Sequence, residues 1–164
     1  MKLSSLAKAL LASSMLFTAA HATADEPITV TGSAAFTTDY LFRGISQTGN
    51  NAAVQAGMTA AHESGAYFSV WGSSVTGFTE GGLELDALLG FSGKAGEVGY
   101  DVGVMHYGYP SSDSVNGYDE IYASVSTMGF KVGFNYSPDY FAQTDKYMYL
   151  YAGYSTEVAG VTLS

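Results

Sequence analysis

LELDALLGFSGKAGEVGYDVGVMHYGY, residues Leu83 to Tyr109, sets a pattern that the rest of the chain repeats. In its first half Leu83, Leu85, Ala87, Leu89 and Phe91 occupy one parity, and Glu84, Asp86, Gly90 and Ser92 the other. A strand sends successive side chains to opposite faces, so this is one apolar face and one wet, acidic face. Leu88 is the misfit. After a Gly- and Lys-containing break at Gly93 to Glu97, Tyr100, Val102 and Val104 alternate with Asp101, Gly103 and Met105. Two amphipathic strands joined by a short turn predict an antiparallel hairpin. Each strand is about ten residues long, more than the roughly five or six usual in soluble proteins and close to the ~9–11 that cross a bilayer.

Composition narrows the class. Charged residues make up 13% of the 164, well below the quarter or so typical of soluble domains, while aromatics reach 14%. No cysteine is present, which removes disulfides, thiolate metal sites and cysteine nucleophiles. A net charge of −9 argues against nucleic acid as a partner, since that requires a basic footprint.

Residues Met1 to Ala24 read as a cleaved secretory signal peptide. Lys2 and Lys8 precede the apolar run Ala9 to Ala20, and Ala22-Thr23-Ala24 supplies the cleavage site before Asp25. Residues 25–164 are then the mature domain, with Arg43, Lys94, Lys131 and Lys146 as its strong bases. No later apolar run is long enough for a transmembrane helix.

Along the mature chain the alternation predicts eight strands, near residues 29–42, 53–63, 67–75, 83–92, 100–109, 119–126, 130–137 and 146–155. A ninth is expected to begin at Val161. Their connections alternate long and short. Outer-membrane barrels have long loops on one side and short turns on the other, which predicts this rhythm, whereas a Greek-key sandwich does not. Tyr40, Phe42, Tyr109 and Tyr136 cluster near the long-loop ends, and Phe91, Tyr100, Phe130 and Tyr154 near the short-turn ends. Two such bands are expected as aromatic girdles at the membrane interfaces. Lipid offers the backbone no hydrogen bonds, so a sheet in it must close. The expected fold is all-β, an antiparallel up-and-down transmembrane β-barrel. Eight strands with a ninth beginning imply ten or more in an even-numbered barrel, and the chain is read as C-terminally truncated.

Four blocks carry a family resemblance: TTDYLFRGISQT (Thr37 to Thr48), YDVGVMHYGYP (Tyr100 to Pro110), YDEIYASVS (Tyr118 to Ser126) and NYSPDYF (Asn135 to Phe141). In this order they resemble the TorF-type porin family, also called the Gcw_chp family of proteins of unknown function. The resemblance covers roughly residues 28 to 155. It implies an outer-membrane β-barrel with pore activity and no agreed substrate.

Asp39, Arg43, Glu63, Glu84, Asp86, Asp101, Glu120 and Lys131 fall on the polar parity or at strand ends and are expected to face the lumen. Glu84 and Asp86 are spaced like a glycosidase pair, but acids on the neighbouring strands make lumen charge the better reading. Asp39 and Arg43 suit an ion pair, a loop tether or a constriction charge. His62 and His106 lack the clustered partners a metal needs, and no nucleophile-elbow or phosphate-loop motif occurs. No catalytic, cofactor or metal site is expected.

The expected function is a small outer-membrane porin passing small solutes passively and favouring cations. The alternative is a filled, non-conducting barrel with a structural or adhesive role, which Tyr147, Tyr149 and Tyr151 on the inward parity would suit. An outer-membrane lipid-modifying enzyme is a remote third. Expected partners are outer-membrane lipid, small solutes and the outer-membrane assembly machinery.

Overall fold

Period-two alternation, many glycines and a scarcity of helix-favouring runs leave the chain one regular option, the extended strand. The computed structural model describes residues 15–21, 27–76, 82–110, 117–140, 145–158 and 161–163. In chain order the elements begin with β1 (Met15–His21) and β2 (Ile28–Thr37), followed by a small hairpin of β3 (Leu41–Phe42) and β4 (Ile45–Ser46). The long strands continue with β5 (Ala53–His62), β6 (Ala66–Ser74), β7 (Leu83–Ala95) and β8 (Val98–Gly108). Then come β9 (Tyr118–Thr127), β10 (Phe130–Ser137), β11 (Tyr147–Tyr154), β12 (Thr156–Val158) and β13 (Val161–Leu163).

Nine strands form one antiparallel sheet in the order β1-β2-β5-β6-β7-β8-β9-β10-β11, each beside its neighbour in sequence apart from the excursion of β3 and β4. This is the up-and-down meander expected from the pattern. The strand ends at Thr37 and Ala53, Ser74 and Leu83, Gly108 and Tyr118, and Ser137 and Tyr147, which flank the longer connections, lie at one end of the sheet, and the turns 63–65, 96–97 and 128–129 at the other. Among the described residues no ladder joins the edge strands β1 and β11, so the sheet is open there.

Three details differ from the sequence expectation. The first long strand stops at Thr37 instead of running to Phe42, because Thr37 Oγ1 donates to the carbonyl of Asp39 and turns the chain inward. Strand β7 continues through Gly93 and Lys94 to Ala95, where the expectation placed a break. Val161–Leu163 is a strand, yet it pairs with Thr156–Val158 rather than joining the sheet. Of the expected signal peptide, Met15–His21 lies beside β2, while residues 1–14 and 22–24 fall outside the described residues.

Register assigns every side chain to a face. Trp71 opposes Asp86, Asp86 opposes Tyr107, and Tyr107 opposes Tyr118, so these four share a face. On the alternate positions, Leu85, Val104, Ile121 and Phe134 belong to the other. The apolar face is the exposed one: Leu89 is 58% exposed and Leu150 68%. On the polar face Glu84 is 2% exposed and Glu120 1%. A single sheet buries one face without a second layer only by curling around it.

Glycine makes the curl compatible with bulky side chains. Tyr67, Gly90, Gly103 and Tyr122 lie in one row across β6, β7, β8 and β9. On a flat sheet the outer two would stand about 14 Å apart, yet their hydroxyls hydrogen-bond to each other. A Cβ on Gly90 would collide with Tyr67 and Tyr122, so both rings are laid over bare backbone. Tyr151 over Gly133 repeats the device.

The short turns use left-handed backbone. Met128 (φ 50°) and Gly129 (φ 84°) form the centre of one, and Gly96 (φ 62°) opens another. An added Cβ at Gly96 meets nothing, whereas at Gly129 it runs into the Ser155 carbonyl and the Tyr154 ring. Gly96→Ala should therefore cost about 1 kcal/mol of backbone strain. Gly129→Ala should cost clearly more, about 2–4 kcal/mol. Urea-unfolding midpoints of the two variants check the ranking.

Candidate functional site

The segment between β2 and β5 folds onto the polar face and organises it. Asp39 Oδ1 accepts from Ser46 Oγ at 2.6 Å and Thr48 Oγ1 at 2.8 Å, and the Gln47 amide donates to the Tyr40 carbonyl at 2.7 Å. The β3–β4 hairpin turns on Arg43 (φ 50°) and Gly44 (φ 84°), both left-handed as a two-residue turn requires. Its tip thereby carries the guanidinium to the sheet.

Arg43 meets Glu120 in a two-pronged contact, Nη1 to Oε1 at 2.8 Å and Nη2 to Oε2 at 2.5 Å. Its guanidinium also lies over Phe42 (4.5 Å to the ring centre), Tyr149 (4.7 Å) and Tyr147 (5.3 Å). Glu120 further accepts from Asn135 Nδ2 at 3.0 Å and Tyr107 Oη at 3.3 Å. Burial opposes the charged form of Arg43, but the hydrogen bonds and charge of Glu120 outweigh it and raise the guanidinium pKa. The cation is permanent.

Two strands away, Glu84 accepts from Tyr40 Oη at 2.8 Å and also from Tyr109. Burial first, and then the Glu84 charge, hold the phenols of Tyr40 and Tyr109 far above the usual tyrosine range, so both remain donors. A chain of rings fills the space near the long connections: Tyr107 on Tyr118 (4.6 Å), Tyr118 on Tyr140 (4.9 Å) and Tyr140 on Tyr147 (4.3 Å). Towards the short-turn end, Tyr67 donates to Asp101 Oδ1 at 2.7 Å. Asp86 differs from these acids. The Gly108 backbone amide reaches its carboxyl, but its Oδ1 is buried with no donor among the described residues.

The structure places the sequence-expected residues as follows. Arg43, Glu84, Asp86, Asp101 and Glu120 gather on the polar face, with Asp39 in the loop that covers it. Arg43 turns to Glu120, leaving Asp39 as the tether of its own loop. Glu63 stands exposed in a short turn, because β5 ends one residue before it. Lys131 has the polar parity but sits exposed beside the 128–129 turn. Of the expected girdle, Phe91, Tyr100, Phe130, Tyr136 and Tyr154 occupy the apolar face, where Phe91 stacks with Tyr100 and Phe130 contacts Tyr154. Tyr40, Phe42 and Tyr109 do not. The chain's turn after Thr37 carries the first two inward, and Tyr109 continues the inward parity of Tyr107. His106 bonds Asp119 at 2.7 Å on the exposed side, and His62 bonds Ser64 at 2.8 Å.

Sequence reasoning missed Trp71, whose ring packs edge-on against Tyr40 with centroids 5.4 Å apart. It also missed the significance of Leu88 and Met105, two apolar residues on polar parity that turn out to be direct cross-strand partners. Their departure from the alternation was the available signal.

Fold and site together define an all-β protein built from one antiparallel meander, apolar outside and polar within. The family described as "Bacterial protein of unknown function (Gcw_chp)" matches residues 21–164, and the chain belongs to it. No curated protein and no solved structure matches the chain.

Arg43 and Glu120 are 9% and 0% exposed at their side chains, so removing one leaves the other's charge buried. Arg43→Met should cost about 3–5 kcal/mol, and adding Glu120→Gln should restore part of that loss. Unfolding midpoints of the two variants check this, recovery in the double variant being the expected signature.

Proposed function

We propose that the chain forms an outer-membrane β-barrel of the TorF-type porin class, through which small solutes diffuse passively with a preference for cations. The observation that carries this reading is the exposed apolar face. Val54, Met58, Phe68, Leu89, Val104, Ile121, Val132 and Leu150 all lie open on one side of the sheet. Each is about half exposed and would forgo about 1–2 kcal/mol by staying in water, and soluble monomers rarely expose a continuous patch beyond a few hundred Å². Acyl chains are the cover that fits a surface this extended. Strand lengths and the segregation of long connections to one end support the same reading.

In this account residues 1–24 are removed on export. That frees the edge of β2, and the barrel closes when the edges of β2 and β11 pair, directly or through further strands. Acyl chains then contact the apolar face, the outer-membrane assembly machinery inserts the sheet, and small solutes are the cargo. Inside, the β3–β4 hairpin acts as a constriction. Its cation is neutralised by Glu120, leaving Glu84, Asp86 and Asp101 to set the sign of the field.

A second reading is a filled, non-conducting barrel with a structural role. The ring chain from Tyr107 to Tyr147 and the Arg43–Glu120 clasp favour it. Planar-bilayer recording separates the two. A porin gives discrete steps with cation preference, and Glu84→Gln with Asp86→Asn should lower that preference at least twofold. Absence of steps, with no liposome swelling in sugars, would establish the filled barrel; anion preference would overturn the lumen assignment.

A further inference from the structure

We propose that the polar face holds a binding site for a small organic ammonium ion, with Asp86 as its counter-charge. A cavity of about 270 Å³ lies between the sheet and the β3–β4 hairpin. Trp71 and Tyr107 flank Asp86 as its cross-strand neighbours on β6 and β8, so carboxylate and rings share one row of the sheet. Tyr40 and Phe42 complete the lining, edge-on to Trp71 (5.4 Å) and Tyr107 (5.6 Å) respectively. Leu88 and Met105, the two residues that break the alternation, make an apolar floor with Ser69 beside them. The walls are thus four aromatic rings around a carboxyl whose Oδ1 receives no hydrogen bond among the described residues.

The chemistry of that lining is specific. Ring faces carry negative potential and attract a cation within about 6 Å of the centroid, and they do so best when water is excluded. A carboxylate behind them supplies the neutralising charge. An alkylated ammonium suits the site better than a metal ion, which would require several oxygen ligands where here there is one carboxylate. It also suits it better than a neutral solute, which would leave the Asp86 carboxylate without an opposite charge.

The neighbouring arrangement shows the chain already using this recognition. The Arg43 guanidinium lies over Phe42, Tyr147 and Tyr149, with Glu120 as its counter-ion. Asp86 with Trp71, Tyr107, Tyr40 and Phe42 repeats the combination of rings and carboxylate, and Phe42 belongs to both groups. In the first the cation comes from the protein itself. Glu84 does not compete for the role, because Tyr40 and Tyr109 satisfy it. At about 270 Å³ the cavity falls just below the ~300–1,000 Å³ of drug-sized sites, which limits the ligand to a trimethylammonium head with a short tail. The inference rests on the geometry of the polar face and holds whether or not the barrel conducts.

Trp71 is the single tryptophan, so intrinsic emission reports on the cage wall directly. The full chain in detergent should be titrated with choline and, in parallel, with its uncharged isostere 3,3-dimethyl-1-butanol at matched ionic strength. A saturable change in emission with choline, at least tenfold weaker with the isostere, is expected. Asp86→Asn should weaken the choline response at least tenfold while sodium chloride leaves the wild-type emission unchanged. Equal responses to choline and the isostere, or no saturable response, would overturn the proposal. That comparison uses the wild-type protein, so it stands even if the Asp86 variant fails to fold. Choline binding without bilayer conductance would remove the porin reading alone, and conductance without choline binding would remove this one alone.

Discussion

The constraint on which the structure depends is the inversion of its two faces: aliphatic side chains stand outside, and carboxylates are buried within. Leu89 and Leu150 are more than half exposed, whereas Glu84 and Glu120 are almost fully enclosed. Burial of apolar area drives folding in water, so a water-soluble sheet would curl the other way and hide its leucines. This one curls around its tyrosines and acids. That inversion is what supports the proposed setting, in which the outer surface meets something as apolar as itself.

Turning the polar side inward transfers the difficulty to the interior. Buried acids are costly unless hydrogen-bonded or paired, and the chain answers with a different device for each. Glu120 receives a guanidinium, an amide and a phenol, and Glu84 and Asp101 receive phenols. Tyrosine is well matched to the task, because its ring fills volume while its hydroxyl reaches an acid across the curl. Glycine completes the scheme. Tyr67 and Tyr122 can lie across the sheet only because Gly90 and Gly103 leave the backbone bare beneath them. High tyrosine and glycine content are therefore two halves of one packing solution.

Much of this was legible in the sequence. Alternation is a local signal with a fixed period, and it located the eight long strands of residues 28–154, their order and their outward faces. The short turns announced themselves through glycine. What escaped was whatever depended on distant partners. Arg43 and Glu120 are 77 positions apart, and only the inward turn after Thr37 brings them together. Continuing the alternation past that turn assigned Tyr40 and Phe42 to the wrong face. The Thr37 hydroxyl that ends the strand gives a weak signal, since threonine is equally at home within one. Leu88 and Met105 could be seen as exceptions, but only the register of β7 against β8 made them neighbours.

Site-directed labelling on β8 tests the central claim most directly, and the chain offers a background free of native cysteine. Single cysteines at Tyr100, Asp101, Val102, Gly103, Val104 and Met105 would each carry a fluorophore in the protein reconstituted into lipid. Quenching by brominated acyl chains should alternate with period two, strong at Tyr100, Val102 and Val104 and weak at the residues between them. Uniform quenching by a water-soluble quencher, with no response to brominated lipid at the three apolar-face positions, would contradict the account.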